Sequence, residues 1–389
     1  MIIERDLYTE ISKFMDSPEA IVITGMRRTG KTTLLAYIAE RIDSSNKLLI
    51  DLESPANQKL FDEANYERIL DDLRARGLDS RKQSYIFLDE IQFVKNAPSV
   101  VKYLSDHYRI KFFLSGSSSF YLKNLFAESL AGRKYIFELF PLNFREFLRL
   151  KNPKASLDEL PKKVSQAAFL EFDRWYGEYL LYGGFPGVVQ KETAEEKKKA
   201  LEDIFSSYFQ LEIIQLGDFK KVSVVRDLML LMLERVGSKI DIAKLASEMG
   251  VARETIGNYL SFFESTYFIS LVRPFSRNRD IEIRGSPKFY VCDSGIINNF
   301  ARVNEGSIFE NAVFSALRLK GEVNYYQRKS GVEIDFVLDK RQAFEAKIFS
   351  REQDVKKLAM LTGEIGLEAY TLVTRKYTLL PHTRLGFLL

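Results

Sequence analysis

A continuous apolar run, AIVIT (Ala20–Thr24), is followed after a glycine-bounded loop by TTLLAYIAERI. The run reads as a buried parallel strand, since it does not alternate with polar residues. The second stretch puts Leu34, Leu35, Ile38 and Ile42 on one helical stripe. The strand pattern recurs at Tyr85–Leu88, which ends in Asp89 and Glu90, and again in IKFFLSGSSSF. Residues 143 to 215 turn helical: ETAEEKKKALEDIFSSYFQLEI is mixed-charge and then amphipathic, and YGGFPG interrupts as a tight turn. IDIAKLASEMG then sets Ile242, Leu245, Ala246 and Met249 at helical spacing and stops at Gly250. VARETIGNYLSFFEST places Ile256, Leu260 and Phe263 on one face. Two short helices around a glycine turn are a helix-turn-helix signal. YFISLVRPF and IEIRGSPKFYV read as strands around SRNRD, as in the wing of a winged helix.

Two last strands are expected at Glu333–Leu338 and Ala343–Phe349. Ile334, Phe336 and Leu338 point one way, and Glu333, Asp335 and Val337 the other. On the second strand Phe344, Ala346 and Ile348 are the buried set, with Glu345 and Lys347 opposite. Asp335, Glu345 and Lys347 can therefore converge at one end of a hairpin.

Composition narrows the chemistry. A chain of 389 residues suggests two or three domains. With 46% hydrophobic and 28% charged residues it is ordinary for a soluble globular protein. No apolar run approaches the roughly 18 residues of a membrane helix, and MIIERDLYTE has no signal-peptide pattern; a cytoplasmic protein with no membrane partner is expected. The lone Cys292 excludes an intramolecular disulfide and a cysteine zinc site, and His107 and His382 are too few and too far apart for a histidine-based centre. A net charge of +4 permits nucleic-acid binding without arguing for it.

GMRRTGKTT, Gly25 to Thr33, fits the spacing G-x-x-x-x-G-K-[ST] between a strand and a helix. Gly25 and Gly30 let the backbone turn and approach a polyphosphate. The amides of Met26, Arg27, Arg28, Thr29, Lys31, Thr32 and Thr33 and the helix N-terminus can face phosphate oxygens. Lys31 would reach the β- and γ-phosphates of ATP, and the Thr32 hydroxyl would bind Mg²⁺. Asp89 would hold the same ion through water, and Glu90 would orient the attacking water. Ser115 or Ser117 would contact the γ-phosphate or that water. Arg133, after a glycine in SLAGRKYIFELF, is either a γ-phosphate sensor, an arginine finger for a neighbouring subunit, or a surface residue.

GMRRTGKTTLL, YIFLDEIQ, FLSGSSS, LAGR, FPLNFREFL and YLLYGGFPGVV together resemble a large prokaryotic group of AAA+-type P-loop ATPases with a C-terminal domain of uncharacterised function. The resemblance spans nearly the whole chain. It implies ATP binding and hydrolysis in the cytoplasm; a homo-oligomer is a separate expectation, tied to the arginine-finger reading of Arg133. The D…E-x-K pattern of Asp335, Glu345 and Lys347 resembles the core of the restriction-endonuclease-like fold, whose members often add an acid from a preceding helix. Glu310 fits that place, although Ser307-x-x-Glu310 also reads as a capping box.

The expected fold class is α/β: an AAA+-like P-loop NTPase core at 1–145, a helical lid at 146–218, a winged helix at 219–292 and a small restriction-endonuclease-like α/β domain at 293–389. DNA is the expected partner, with Arg277, Arg279 and Arg284 on the wing and Arg253 and Asn258 toward a groove. Three readings of the last domain stay open: a Mg²⁺-dependent nuclease, an inactive DNA-binding relic, or a hairpin with a solvated polar face. For the whole chain the alternative to a DNA-acting ATPase is an ATP-dependent switch that controls a protein partner.

Overall fold

The computed structural model describes residues 3–116, 132–161, 164–214, 219 and 221–389. They divide into two compact units, residues 1–140 with 265–267, and residues 141–264 with 268–389. The lid, winged-helix and nuclease-like segments expected from sequence thus share one unit.

The first unit carries α1 (Asp6–Ser12), β1 (Ala20–Thr24), α2 (Lys31–Arg41), β2 (Lys47–Asp51), α3 (Pro55–Phe61), α4 (Tyr66–Ala75), β3 (Ser84–Asp89), α5 (Ala97–His107), β4 (Ile110–Gly116) and β5 (Lys134–Glu138). Its sheet is wholly parallel, in the order β2-β3-β4-β1-β5. Both faces are covered, which is why the strands are apolar throughout. Ile21, Ile23, Phe87 and Phe113 pack with Leu34, Leu35 and Ile38 of α2. Val22, Ile86, Leu88, Phe112 and Leu114 pack with Ile69, Leu70 and Leu73 of α4 and with Val100, Val101 and Leu104 of α5. Register aligns Thr24 with Gly116 and Leu88 with Leu114, so the carboxyl ends of β1, β3 and β4 form one rim. Ligands of open α/β sheets bind at such a rim.

The second unit begins with α6 (Phe144–Lys151), α7 (Gln166–Tyr182), α8 (Pro186–Val189) and α9 (Ala194–Tyr208). A capping box of Thr193 and Glu196 starts α9. The glycine pair after α7 has a steric cause. Gly183 has φ +77°, and a Cβ there would stand 1.7 Å from Asp293 Oδ1. The Asp293 carboxylate accepts hydrogen bonds from Gly184 N at 2.7 Å and Gly295 N at 2.8 Å. Burial nevertheless pushes Asp293 from its ordinary 3.8 up to about 6. Between these values the folded chain keeps a proton that the unfolded chain has released. This contribution to stability is full below pH 3.8 and is lost as pH rises through about 6, a swing of about 3 kcal/mol. Denaturant-derived stabilities of wild type and Asp293→Asn should therefore change relative to each other by about that amount between about pH 4 and pH 7. A constant difference across that range would rule out Asp293 as the titrating group.

Next come α10 (Val222–Glu234), α11 (Ile242–Met249), α12 (Arg253–Ser265), β6 (Ile269–Val272), α13 (Arg279–Arg284), β7 (Lys288–Val291) and α14 (Ser294–Phe300). Asp241 caps α11, and Gly250 ends it with φ 63°, as the glycine stop implies. The β6–β7 pair is antiparallel, but its connection corrects one expectation. Arg279 and Arg284 lie on the short helix α13, not on strands of a hairpin. Asn278 accepts from the Asp280 amide, and Arg284 pairs with Asp280 one turn away. Arg277 is turned to the Ile365 carbonyl at 3.2 Å.

The chain closes with α15 (Glu305–Leu317), β8 (Val323–Gln327), β9 (Glu333–Leu338), β10 (Gln342–Lys347), α16 (Glu352–Ile365), β11 (Ala369–Thr374) and β12 (Thr383–Leu385). The five strands form a mixed sheet in the order β12-β11-β10-β9-β8. β8, β9 and β10 form an antiparallel meander, and β11 joins β10 in parallel after the crossover helix α16. The second strand of the hairpin ends at Lys347, and Phe349 is exposed. Among the described residues no helix is long and apolar enough to cross a membrane.

Candidate functional site

The loop between β1 and α2 occupies the rim of the parallel sheet. A Cβ on Gly25 would stand 2.1 Å from the Leu139 carbonyl oxygen, so only glycine lets the loop leave β1 here. Gly30, at φ 96°, is the N-cap of α2, and Arg28 also has positive φ. Thr29 is buried and its hydroxyl donates to the Met26 carbonyl at 2.9 Å. Lys31, 4% exposed, donates from Nζ to the carbonyls of Gly25 at 2.9 Å and Met26 at 3.0 Å. Thr32 and Thr33 are exposed on the first turn of α2.

Asp89 ends β3 at the same rim. It accepts from the Ser115 hydroxyl and, at 3.1 Å, from the Glu90 amide. Glu90 is held in the left-handed region at φ 53°, and Gln92 donates to its carboxylate. Gly25–Thr33, Asp89, Glu90 and Ser115 thus come together as the sequence implies. Ser117 lies outside the described residues. Arg133 is not brought to this rim. It precedes β5 at the amino ends of the strands, the end opposite the rim, where its carbonyl accepts from Ala20 N and its guanidinium pairs with Asp106.

Two neighbours of the loop were not apparent from sequence. Buried Arg5 donates to the Thr29 carbonyl at 2.8 Å and the Phe140 carbonyl at 2.7 Å, clamping the loop from the far N-terminus. Tyr267, at φ 64°, donates to Glu138 at 3.1 Å and to Thr24 at 3.4 Å, at the foot of the loop. Both are long-range contacts with no local motif to announce them.

A second polar site lies in the other unit. Asp335 on β9 and Glu345 on β10 are 5% and 7% exposed, so the solvated-face reading is overturned. Asp335 accepts from the Ala346 amide at 2.8 Å, and Lys347 pairs with Glu345 at 2.8 Å. Glu310 joins them from α15, and the capping-box reading of this residue is corrected too. The N-cap of α15 is Asn304, whose side chain accepts from Ser307 N, while Glu310 accepts from the Tyr290 hydroxyl at 2.7 Å. Sequence reasoning missed Lys288, 4% exposed, which reaches Glu333 at 3.2 Å and Glu310 at 3.9 Å. Its one signal was the period-two pairing of Lys288 with Tyr290 on β7.

Four acids (Glu310, Glu333, Asp335, Glu345) thus face two lysines (Lys288, Lys347). Burial and then the Asp335 charge push Glu310 and Glu345 up to about 7. Burial also raises Asp335. For Lys288 burial works downward, but Glu310, Asp335 and Glu333 hold the ammonium above the usual lysine value. Such an excess of oxygen donors suits a hard divalent ion. Among the described residues, no three His, Cys, Asp or Glu side chains stand close enough to chelate one unaided. Mg²⁺ commonly takes one or two carboxylates and completes its shell with water and substrate phosphate. The donor set fits that habit.

Between α11 and α12 runs a cleft of about 1050 Å³ lined by Lys221, Ala246, Gly250, Arg253, Asn258 and Tyr259. Arg253 and Asn258 are exposed there, as are Arg277, Arg279 and Arg284 around α13.

Residues 17–148 match the AAA domain family, and residues 173–307 match a domain of unknown function (DUF8612). The first match covers the loop, Asp89 and Glu90, and identifies the parallel-sheet unit as an AAA-type, P-loop ATPase-like domain. An uncharacterized protein of Methanocaldococcus jannaschii, MJ1544, is 31% identical over 330 residues, covering 82% of this chain and 71% of its own. An uncharacterized protein of Haemophilus influenzae is 26% identical, covering 87% of this chain and 84% of its own. Among solved structures, the Walker-type ATPase PABY2304 of Pyrococcus abyssi aligns with 77% of this chain and 96% of its own at 15% identity and a TM-score of 0.48.

Proposed function

This chain belongs to the same family as MJ1544 of Methanocaldococcus jannaschii, and from that premise we propose that it is an ATP-hydrolysing AAA-type protein that acts on DNA, with a Mg²⁺-dependent nuclease site near its C-terminus. The observation that carries the ATPase half is the rim itself. A glycine loop, a lysine, an acid pair and a serine meet there from β1, β3 and β4. On this reading the Gly25–Thr33 amides receive the phosphates of ATP. Lys31 exchanges the Gly25 and Met26 carbonyls for β- and γ-phosphate oxygens. Thr32 and Asp89 would hold Mg²⁺, and Glu90 would orient the attacking water. Ser115 keeps Asp89 aimed, and Ser117 would lie close to the γ-phosphate. Arg133, at the amino ends of the strands, would serve only a neighbouring subunit's nucleotide.

The DNA role rests on α10–α12 with the β6–β7 pair, an arrangement like that of a winged helix, and on the exposed basic side chains beside the α11–α12 cleft. Arg253, Arg279 and Arg284 would contact phosphates, with Asn258 toward a groove; Arg277 is engaged with α16 instead. Changing Arg253, Arg279 and Arg284 together to Gln should weaken DNA binding across sequences. Each lost phosphate contact should reduce the slope of log affinity against log salt by about 0.9. Fluorescence anisotropy with labelled duplex over a salt series reads this directly. An unchanged slope would move the contact elsewhere.

The nuclease reading rests on the order α15-β8-β9-β10-α16-β11, which resembles that of the restriction-endonuclease-like core, on the buried Asp335 and Glu345, and on the partly exposed Glu310 and Lys347 beside them. A bound Mg²⁺ would polarise the scissile phosphate and lower the pKa of water. Asp335 and Glu345 would hold it. Lys347 would stabilise charge developing on the phosphate.

A further inference from the structure

Lys288 belongs to no part of the pattern that marks the nuclease-like sheet. It stands on β7, paired with Val272 of β6, yet its ammonium is buried among the acids of α15 and β9. We infer that Lys288 is the resident cation of this acidic cluster, and that a divalent ion enters only as the ammonium withdraws. The inference rests on the reading of the cluster as a metal site.

Three observations carry it. First, the ammonium lies between Glu333 at 3.2 Å and Glu310 at 3.9 Å, in the polar centre toward which Asp335 also acts. A divalent ion held by Asp335 and Glu345 would bring a like charge close to that ammonium, since Asp335 acts on both. Second, Lys288 is held there by more than charge. It lies 5.6 Å over the Tyr325 ring, and the Tyr290 hydroxyl, two residues along the same strand, fixes Glu310 at 2.7 Å. Third, two lysines against four acids leave a deficit that an ion or protons must fill. The lysine therefore lowers the pull of the site for a metal without removing it.

The test is Mn²⁺ binding to the full chain, read by titration calorimetry and by the free-ion electron paramagnetic signal, with no DNA present. Lys288→Met should bind Mn²⁺ at least about tenfold more tightly than wild type, and Lys288→Arg, which keeps the charge, should not. In wild type, saturating Mg²⁺ should raise the rate at which acetic anhydride modifies Lys288, since the ammonium must leave its buried position. This second readout does not depend on how well any variant folds. Equal Mn²⁺ affinity in wild type and Lys288→Met overturns the inference and leaves the metal site standing. No saturable binding by either protein overturns both. Unchanged labelling of Lys288 at saturating Mg²⁺ overturns the inference by itself.

Discussion

Lys31→Ala should weaken ATP binding at least about 100-fold. The side chain already donates to two carbonyls, Gly25 at 2.9 Å and Met26 at 3.0 Å, so its ammonium is aimed into the loop before any phosphate arrives. A hydrogen bond to a charged group contributes about 1.5–3 kcal/mol, and the lysine would make two to the β- and γ-phosphates. A loss of roughly 3 kcal/mol is two powers of ten in affinity. Equilibrium titration with a fluorescent ATP analogue measures it. Glu90→Gln separates binding from chemistry. Gln92 can still hold the substituted side chain, the loop is untouched, and only activation of water is lost. Binding should stay near wild type while turnover falls by about 10²–10⁴. Wild-type affinity in Lys31→Ala would mean that this loop is not where ATP binds. Wild-type turnover in Glu90→Gln would mean that another group activates water.

Asp335→Asn should reduce metal-dependent DNA cutting by about a thousandfold and leave ATP turnover intact. Asn keeps an oxygen for the Ala346 amide, which Asp335 now satisfies at 2.8 Å. The loss then reflects the missing charge and not an orphaned buried donor. Cutting should also depend on pH in a set direction. Burial and Asp335 push Glu345 up to about 7, so the carboxylate proposed to hold the metal appears as pH rises through that value. Activity should climb through about pH 7 and level off above it. Gel assays on linear and branched DNA with Mg²⁺ or Mn²⁺ follow both effects. Undiminished cutting by Asp335→Asn would place the nuclease site elsewhere. No cutting by wild type on any DNA would favour a relic that binds without cleaving.

The ATPase half was legible because its chemistry is contiguous. Gly25–Thr33 and Asp89-Glu90 each sit at a strand end, and the strands are apolar on both faces because helices cover both. The clamp from Arg5 was not legible, since it spans 24 residues to Thr29 and 135 to Phe140. In the second unit, I-E-I-R alternates like a strand, but the Asn278 cap and the Asp280–Arg284 pair draw it into a helix. Ser307-x-x-Glu310 has capping-box spacing, but Asn304 takes the cap and leaves Glu310 one turn inside, facing Tyr290. Side-chain alternation put the acids of β9 and β10 on one face of the hairpin. Their burial was missed because it comes from β7 and α15, and side-chain alternation within one hairpin carries no information about what another element brings to it.

The most direct measurement is steady-state ATP turnover with no DNA and with duplex, single-stranded and branched DNA in turn. At least one form should raise turnover several-fold in a saturable way, the stimulation should fade as salt rises, and Glu90→Gln should show none of it. Turnover that is the same with and without every form of DNA would remove DNA from the function of this ATPase.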